Sequence, residues 1–240
     1  MANSPPPPPP SAWTVYYHGG FSGRAQPLHL MLVDSGTPYT TGNKAEALAL
    51  SDSTFALPAA RSPSGMILGQ TTAIAAWMGD EVAGGRYAVG ARHVAMKVAC
   101  DIADIWSEGY SQRCNYRDAP TKETAAAAAE WLSPAPTGER NSGRFLRFLR
   151  VIEASRALAA AAPSDAYLFG DKVSYVDFLL LNVIKTMEWI FGADKVDACL
   201  SQIPDLKRVV ETVAKRPRVA EYLTGDSVLY ESVMSEKIEW

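Results

Sequence analysis

The chain has 240 residues, 48% of them apolar, and a formal net charge of −3. That is enough apolar material for one large domain or two small ones with a sizeable core. The mild negative balance lacks the basic footprint that sequence-independent phosphate binding needs, so nucleic acid is not an expected partner.

The chain opens Met-Ala-Asn-Ser and then runs through six prolines, Pro5 to Pro10. A proline run prefers an extended left-handed helix without internal hydrogen bonds. Residues 1–12 are therefore expected to form a disordered proline-rich tail, with a ligand for a proline-reading domain as the alternative. The opening has no basic n-region and no apolar h-region, so a secretory leader is not expected.

Trp13 to Tyr17 is rich in β-formers, and a glycine-rich turn follows it. Ala25 to Ser35 carries apolar residues at helical spacing (Leu28, Met31, Leu32), with Gly36 as a stop signal. Pro58 introduces a second short segment. Gly65 precedes a strand at Met66-Ile67-Leu68, and Gln70 to Met78 reads as a helix. The pattern is a βα unit followed by a ββα unit, which gives an α/β thioredoxin-like domain over residues 13–80.

The character changes after Gly84-Gly85. Ala91 to Tyr110 is a long amphipathic helix with Val94, Val98, Ile102, Ile105 and Trp106 on a broad apolar face. Asp118 to Gly143 holds an alanine run and then Ser-Pro-Ala-Pro-Thr-Gly, which reads as a long loop containing a short extra helix. Arg144 to Ala162 is the next helix; Arg144, Arg147 and Arg150 follow one another at helical spacing and read as a solvated face. Val176 to Phe191 is apolar all round, as in a helix at the centre of a bundle. Short helices are expected near Pro204 to Lys215 and Val219 to Leu223. The second part, residues 90–240, is thus an all-α helical domain. No apolar run reaches membrane-spanning length, since Phe178-Leu-Leu-Leu is interrupted at Asn182, and no membrane partner is expected.

Cys100, Cys114 and Cys199 are odd in number and far apart, without a CxxC pair. A disulfide framework or zinc site is not expected, and a reducing, cytoplasmic setting is. His18, His29 and His93 are scattered without metal-ligand spacing, so no metal is expected.

Four short segments could carry chemistry. Tyr17 ends the first strand, opposite a helix start. A phenol has a pKa of about 10 and stays protonated at neutral pH, whereas a thiol titrates at about 8.5. Shifting a thiol down by about two units takes about 2.7 kcal/mol, and one charge-assisted hydrogen bond contributes roughly 1.5–3 kcal/mol. A tyrosine donor aided by a helix N-terminus is therefore of the right size to hold a thiolate. The residues equally allow Tyr17 to be a plain strand aromatic, and Tyr16 is the alternative donor because successive strand residues face opposite ways. Leu57-Pro58, if cis, would expose the Leu57 backbone to an extended peptide, although most X-Pro bonds are trans. Gln70-Thr71 at a helix start suits a small carboxylate, or is an ordinary N-cap. Ser174-Tyr-Val-Asp177 is a capping box with Asp in place of Glu and is structural. The His18-Gly-Gly-Phe21 loop is similar to a lipase oxyanion loop, but no GxSxG nucleophile elbow accompanies it. Its glycines do not complete a GxGxxG fingerprint either.

In this order the segments resemble the cytosolic glutathione transferases, the tyrosine-type classes and the sigma class above all. Trp13-Thr-Val-Tyr-Tyr followed by Gly23-Arg-Ala-Gln-Pro-Leu is similar to that family's first strand and helix. Thr54-Phe-Ala-Leu-Pro58 is similar to its cis-proline turn, and Gln70-Thr-Thr-Ala-Ile74 to its Gln-Ser-x-Ala-Ile motif. Gly170-Asp-Lys-Val-Ser-Tyr-Val-Asp-Phe178 is similar to its helical capping motif, and Arg216-Pro-Arg-Val-Ala-Glu-Tyr-Leu223 to its C-terminal helix. The resemblance covers residues 13 to 224. It implies the glutathione transferase fold and a homodimer, with glutathione as co-substrate. Tyr17 would be the thiol-activating phenol and Arg24 would sit near the glutathione site. Leu57, next to Pro58, would pair with the cysteinyl backbone, and Gln70 and Thr71 would hold the γ-glutamyl end. Asp104 would reach the γ-glutamyl amine in the neighbouring subunit's site. Phe21, Tyr110 and Cys114 are the candidates for the electrophile pocket. The sequence departs from the family in a first loop longer by one residue, an extra residue before Leu68 and a long 118–143 segment. The family's glycine-carboxylate contacts have only Lys44 as a candidate.

The implied activity is conjugation of the glutathione thiolate to small apolar electrophiles. The alternatives are a glutathione-dependent isomerase similar to prostaglandin synthases, and a non-enzymatic binding or structural member of the fold. Should Tyr17 not be the activator, Ser22 and Tyr16 are the remaining ones.

Overall fold

A computed structural model describes residues 12–18, 21–50, 54, 56–112, 122–159 and 166–224. The proline tail expected over residues 1–12 lies outside the described residues except for its last position, and so does Cys114. The elements in order are β1 (Trp13–Tyr16), α1 (Gln26–Ser35), β2 (Tyr39–Gly42), α2 (Lys44–Leu50), β3 (Ala59–Arg61), β4 (Ile67–Gly69) and α3 (Thr71–Glu81), followed by the helices α4 (Arg92–Gln112), α5 (Lys122–Trp131), α6 (Arg144–Arg156), α7 (Tyr175–Phe191), α8 (Ala193–Leu200), α9 (Pro204–Ala214) and α10 (Pro217–Thr224).

The strands form one sheet in the order β2-β1-β3-β4. β1 runs parallel to β2 and antiparallel to β3, and β4 is antiparallel to β3. Period-two alternation sorts the residues of β1. Trp13 and Val15 join the large core that includes α1 and α3. Tyr16 joins a small cluster with Ala47 of α2 and Ala59 of β3. The sheet is thereby covered on both faces, as in a thioredoxin-like layer. The expected βα-then-ββα reading lacked β2 and α2; the chain runs βαβα before the final ββα.

α7 is the hub of the helical part. Its Tyr175 to Ile184 stretch is entirely buried, and it packs on α1 and α3 of the first layer as well as on α4, α8 and α9. Ser174 caps it. The Ser174 backbone N–H donates to Asp177 Oδ2 at 2.7 Å, and the Ser174 hydroxyl donates to the same oxygen at 2.6 Å. The Leu168 N–H donates to Asp177 Oδ1 at 2.8 Å. Burial pushes the Asp177 carboxyl upward, and these hydrogen bonds oppose the shift. The capping box therefore ties the loop before α7 to its first turn, as the sequence pattern predicts.

Within residues 122–143 the short extra helix expected from the alanine run is present. α5 occupies 122–131 with Trp131 fully buried. Arg147 donates to the carbonyls of Glu139 and Ser142 at 2.9 and 3.0 Å, and Gly143 N–H donates to Glu130 O at 2.9 Å. Arg144 pairs with Glu108, which also accepts from Trp131 Nε1 at 3.1 Å. Arg144 is thus half-buried in a structural pair, whereas Arg147 and Arg150 are exposed, as a solvated face predicts. The hydrogen bond from Arg144 holds the Glu108 carboxyl below the usual range. α6 ends at Arg156, earlier than the Ala162 its apolar pattern suggested.

α1 and α10 meet around a buried histidine. His29 is 8% exposed, its Nδ1 lies 3.1 Å from the Tyr222 hydroxyl, and its ring stacks on Tyr39. Burial lowers its imidazole to about 4. The unfolded chain takes up this proton near pH 6.5. Between pH 6.5 and 4 the unfolded state therefore binds more protons, and stability falls as pH drops. The contribution is fully present above pH 6.5. By pH 5 the loss amounts to about 2 kcal/mol. Denaturant midpoints at pH 7 and pH 5 should show it, and His29→Gln should flatten the difference; an unchanged slope in that variant would assign the acid sensitivity elsewhere.

Candidate active site

The end of β1 delivers Tyr17 to the mouth of a turn that the sequence shapes around its ring. Ser22 to Ala25 turn tightly, with Ala25 N–H donating to Ser22 O at 2.7 Å, and α1 begins at Gln26. The Arg24 backbone N–H donates to the Tyr17 hydroxyl at 3.2 Å. Gly23 has φ of +39°, and a Cβ there would stand 2.8 Å from the Tyr17 hydroxyl oxygen and 2.9 Å from Cε1. The absent side chain is what lets the phenol lie against the turn. A phenol oxygen that accepts one N–H keeps its proton for donation, and the acceptance polarises the O–H bond.

The alternatives to Tyr17 sit differently. Tyr16 is 5% exposed inside the sheet–α2 cluster, and Ser22 is 6% exposed. Tyr17 is half-buried. Gly23→Ala is expected to push the ring aside and strain the turn, lowering any rate that depends on the phenol about ten-fold, or about 1.4 kcal/mol. Steady-state kinetics beside a thermal melt would check this, since a fold defect alone would move only the melt.

An aromatic wall faces the phenol. Phe21 meets Tyr17 edge-on with centroids 5.3 Å apart and stacks on His18 at 5.8 Å. α4 supplies Trp106, buried at 6% exposure, and the half-buried Tyr110, stacked at 5.6 Å. The Arg24 guanidinium lies 5.5 Å from the Trp106 centroid and connects the two walls. Trp106 and His18 were not singled out as site residues in the sequence. Trp106 could have been, because it lies one helical turn from Tyr110 and side chains four apart share a face. Cys114 lies outside the described residues, so its place in the pocket is not described.

The polar end is built by α3 and the proline turn. Gln70 is the N-cap of α3 with φ 70° and ψ 111°, a backbone region that a side-chain-bearing residue rarely adopts. Thr71 Oγ1 donates to the Arg24 carbonyl at 3.4 Å, joining the α3 start to the Tyr17 turn. The Leu57-Pro58 bond is cis, and Leu57 packs on the Tyr16 cluster. Tyr17, Arg24, Phe21 and Thr71 are thus linked directly, with Gln70 next to Thr71 in sequence, and Tyr110 is joined to them only through Trp106 and Arg24. Asp104 is exposed on α4. Trp106 is 6% exposed and belongs to the core, and residues two apart on a helix do not share a face, so Asp104 lies on a different side of α4. Lys44 is exposed at the start of α2.

Among the described residues no group of His, Cys, Asp and Glu side chains could hold a metal ion, and no helix is long and apolar enough to cross a membrane. Cys100 and Cys199 are free thiols.

Comparison with known proteins agrees with this architecture. Residues 138–226 match the model of the glutathione S-transferase C-terminal domain. A stretch of 90 residues is 33% identical to glutathione S-transferase P 2 of Bufo bufo; it spans 37% of this chain and 40% of that protein's length. The structure of a Pi-class glutathione S-transferase from Onchocerca volvulus superposes with a TM-score of 0.63, covering 88% of this chain and 92% of that one at 17% identity. That of prostaglandin synthase D from Nilaparvata lugens superposes with a TM-score of 0.57 over 88% of this chain and 96% of that one, at 16% identity. At these identities the structural likeness concerns the fold. The chain therefore has the glutathione transferase fold, an α/β thioredoxin-like layer joined to a helical part whose residues 138–226 are similar to that family's C-terminal domain.

Proposed function

We propose that the chain is a tyrosine-type glutathione transferase that joins the thiolate of glutathione to small apolar electrophiles. The observation that carries this reading is the Tyr17 hydroxyl accepting the Arg24 N–H at 3.2 Å with the Phe21 ring beside it. In this reading glutathione lies across the α3 start. Gln70, Thr71 and the free N–H groups of that helix terminus hold the γ-glutamyl carboxylate. The backbone of Leu57 pairs with the cysteinyl unit, and Arg24 lies along its flank. Tyr17 donates to the sulfur and keeps it ionised. The thiolate attacks the electrophile, forms the new carbon–sulfur bond and expels the leaving group. The protein forms no covalent intermediate. Phe21, Trp106 and Tyr110 suit a flat, apolar electrophile through their faces and edges.

The test is conjugation of glutathione to a generic aromatic halide, followed by product absorbance and by glutathione consumed. Conversion of an endoperoxide without consumption of glutathione would favour the isomerase reading, which uses the same thiolate. Glutathione that fails to bind at millimolar concentration would favour a binding or structural member of the fold.

The exposed Asp104 fits a role across a homodimer, reaching the glutathione amine of the neighbouring subunit. Sedimentation of the protein as a monomer at working concentration would rule that role out. A cytoplasmic location belongs to the same proposal and is checked by cell fractionation.

A further inference from the structure

Asn182 is a polar residue in the most apolar helix of the chain. It lies on α7, is 3% exposed, and is flanked by Leu181 and Val183, both fully buried. Its Nδ2 donates to the carbonyl oxygen of Gly23 at 3.4 Å, across 159 positions of sequence. Its Oδ1 is buried and has no hydrogen-bond partner among the described residues. A buried amide with half its capacity unmet costs folding free energy that an apolar residue would not. What the residue provides in return lies in what its N–H group holds.

The Gly23 carbonyl and the Arg24 N–H are the two ends of one peptide group. That group is planar, so fixing one end fixes the other. Asn182 grips the carbonyl end from α7, and the N–H end donates to the Tyr17 hydroxyl at 3.2 Å. Thr71 holds the next carbonyl, that of Arg24, from α3. The turn is consequently oriented by two helices that do not belong to it. Hydrogen bonds in series also polarise one another, so donation by Asn182 strengthens the N–H that supports the phenol.

We propose that Asn182 is a positioning residue for Tyr17, acting through the Gly23–Arg24 peptide plane, so that the helical part of the chain sets the donor strength of the phenol. This rests on the transferase reading above. It assigns to the centre of α7 a share in thiol ionisation without contact with glutathione.

The experiment is an ultraviolet titration of the thiolate of bound glutathione in the wild type, Asn182→Ala, Asn182→Leu and Val183→Ala. Gly23 O also accepts the Gln26 N–H, so the turn keeps one anchor in the variants. Asn182→Leu fills the space and should melt within a few degrees of the wild type. In both Asn182 variants the bound thiol should titrate about 0.5 to 1 unit higher, with turnover at neutral pH about three- to ten-fold lower and glutathione KM within about two-fold. Val183→Ala, a loss of packing at the next position, should leave the titration in place. In a Tyr17→Phe background Asn182→Ala should add no further shift.

An unshifted thiol in both Asn182 variants, an equal shift in Val183→Ala, or a full additional shift in the Tyr17→Phe background would overturn the proposal. If Tyr17→Phe itself leaves the thiol unshifted, the assignment of Tyr17 as the thiol activator fails instead. The Arg24 amide then decides about Asn182 without glutathione. Its hydrogen exchange should be several-fold faster in Asn182→Ala than in the wild type, and unchanged exchange would sink the positioning role by itself.

Discussion

Tyr17→Phe should lower the rate of glutathione conjugation at pH 7 about 100-fold while leaving glutathione binding within a few-fold. The magnitude follows from the size of the device. If the phenol lowers the bound thiol by about two units, its loss withdraws about 2.7 kcal/mol of thiolate stabilisation. The lost interaction concerns the sulfur and not the γ-glutamyl or glycyl ends, so turnover falls and affinity holds. The pH profile gives the sharper check. The wild-type rate should rise with an apparent pKa about two units below that of a free thiol, and the variant's with one near 8.5. At alkaline pH, where both thiols are ionised, the two rates should converge. Undiminished activity at neutral pH would hand the role to Ser22 or Tyr16. Both are nearly fully buried, at 6% and 5% exposure, and Tyr16 packs among Ala47 and Ala59. Neither offers a sulfur the approach that Tyr17 does.

Tyr17 also shows where sequence reading reaches its limit. Strand alternation places two adjacent tyrosines on opposite faces but does not say which face is covered. That depended on α2, and α2 was not legible. Lys44 to Leu50 buries only Ala47, and Leu48 and Leu50 stay exposed, so its apolar residues do not mark a core-facing stripe. β2 was illegible for a related reason. Tyr39 to Gly42 is a four-residue strand with both threonines exposed and none of its residues fully buried, and no apolar alternation marks it. By contrast α4, α7 and α9 bury whole faces, and periodicity placed each of them to within a residue or two. The α3 start was legible as a motif, but the left-handed backbone at Gln70 was not, because composition carries no dihedral signal for a residue other than glycine. Asn182 was visible as the break in an apolar run, yet its partner lies in the other half of the chain. A contact of that span is set by the packing of α7 on α1, which local pattern does not encode.

Asp34→Asn should destabilise the protein by about 3–5 kcal/mol, the usual result of leaving a buried charge without its partner. Asp34 sits in the last turn of α1 and is 7% exposed. Arg216, in the link between α9 and α10, donates from Nε to Asp34 Oδ1 and from an η nitrogen to Oδ2, both at 2.7 Å. Tyr87 donates to Oδ2 at 2.8 Å, and Arg216 also donates to the Tyr167 hydroxyl at 2.7 Å. The carboxylate thus joins the end of α1 to the link between α3 and α4 and to the link between α9 and α10. Hydrogen bonding to Asp34 raises the Arg216 guanidinium further, and burial and then Asp34 raise the Tyr87 phenol. Both directions reflect the Asp34 carboxylate lying beside these groups. Neutralising it strands a guanidinium that is only 17% exposed. For a chain of this length the cost corresponds to a fall of roughly 10 °C in melting temperature. Replacing both partners, as in Asp34→Leu with Arg216→Leu, should recover most of the loss, because the desolvation cost disappears along with the attraction. Melting curves of the two single variants and the double variant form the cycle. A single-variant loss below about 1 kcal/mol would mean that water reaches the pair and that it behaves like a surface ion pair. The turnover of whatever protein remains folded should stay near that of the wild type, since α1 meets the Tyr17 turn at its other end. Loss of stability without loss of turnover would separate the device that joins the two halves from the one proposed to activate the thiol.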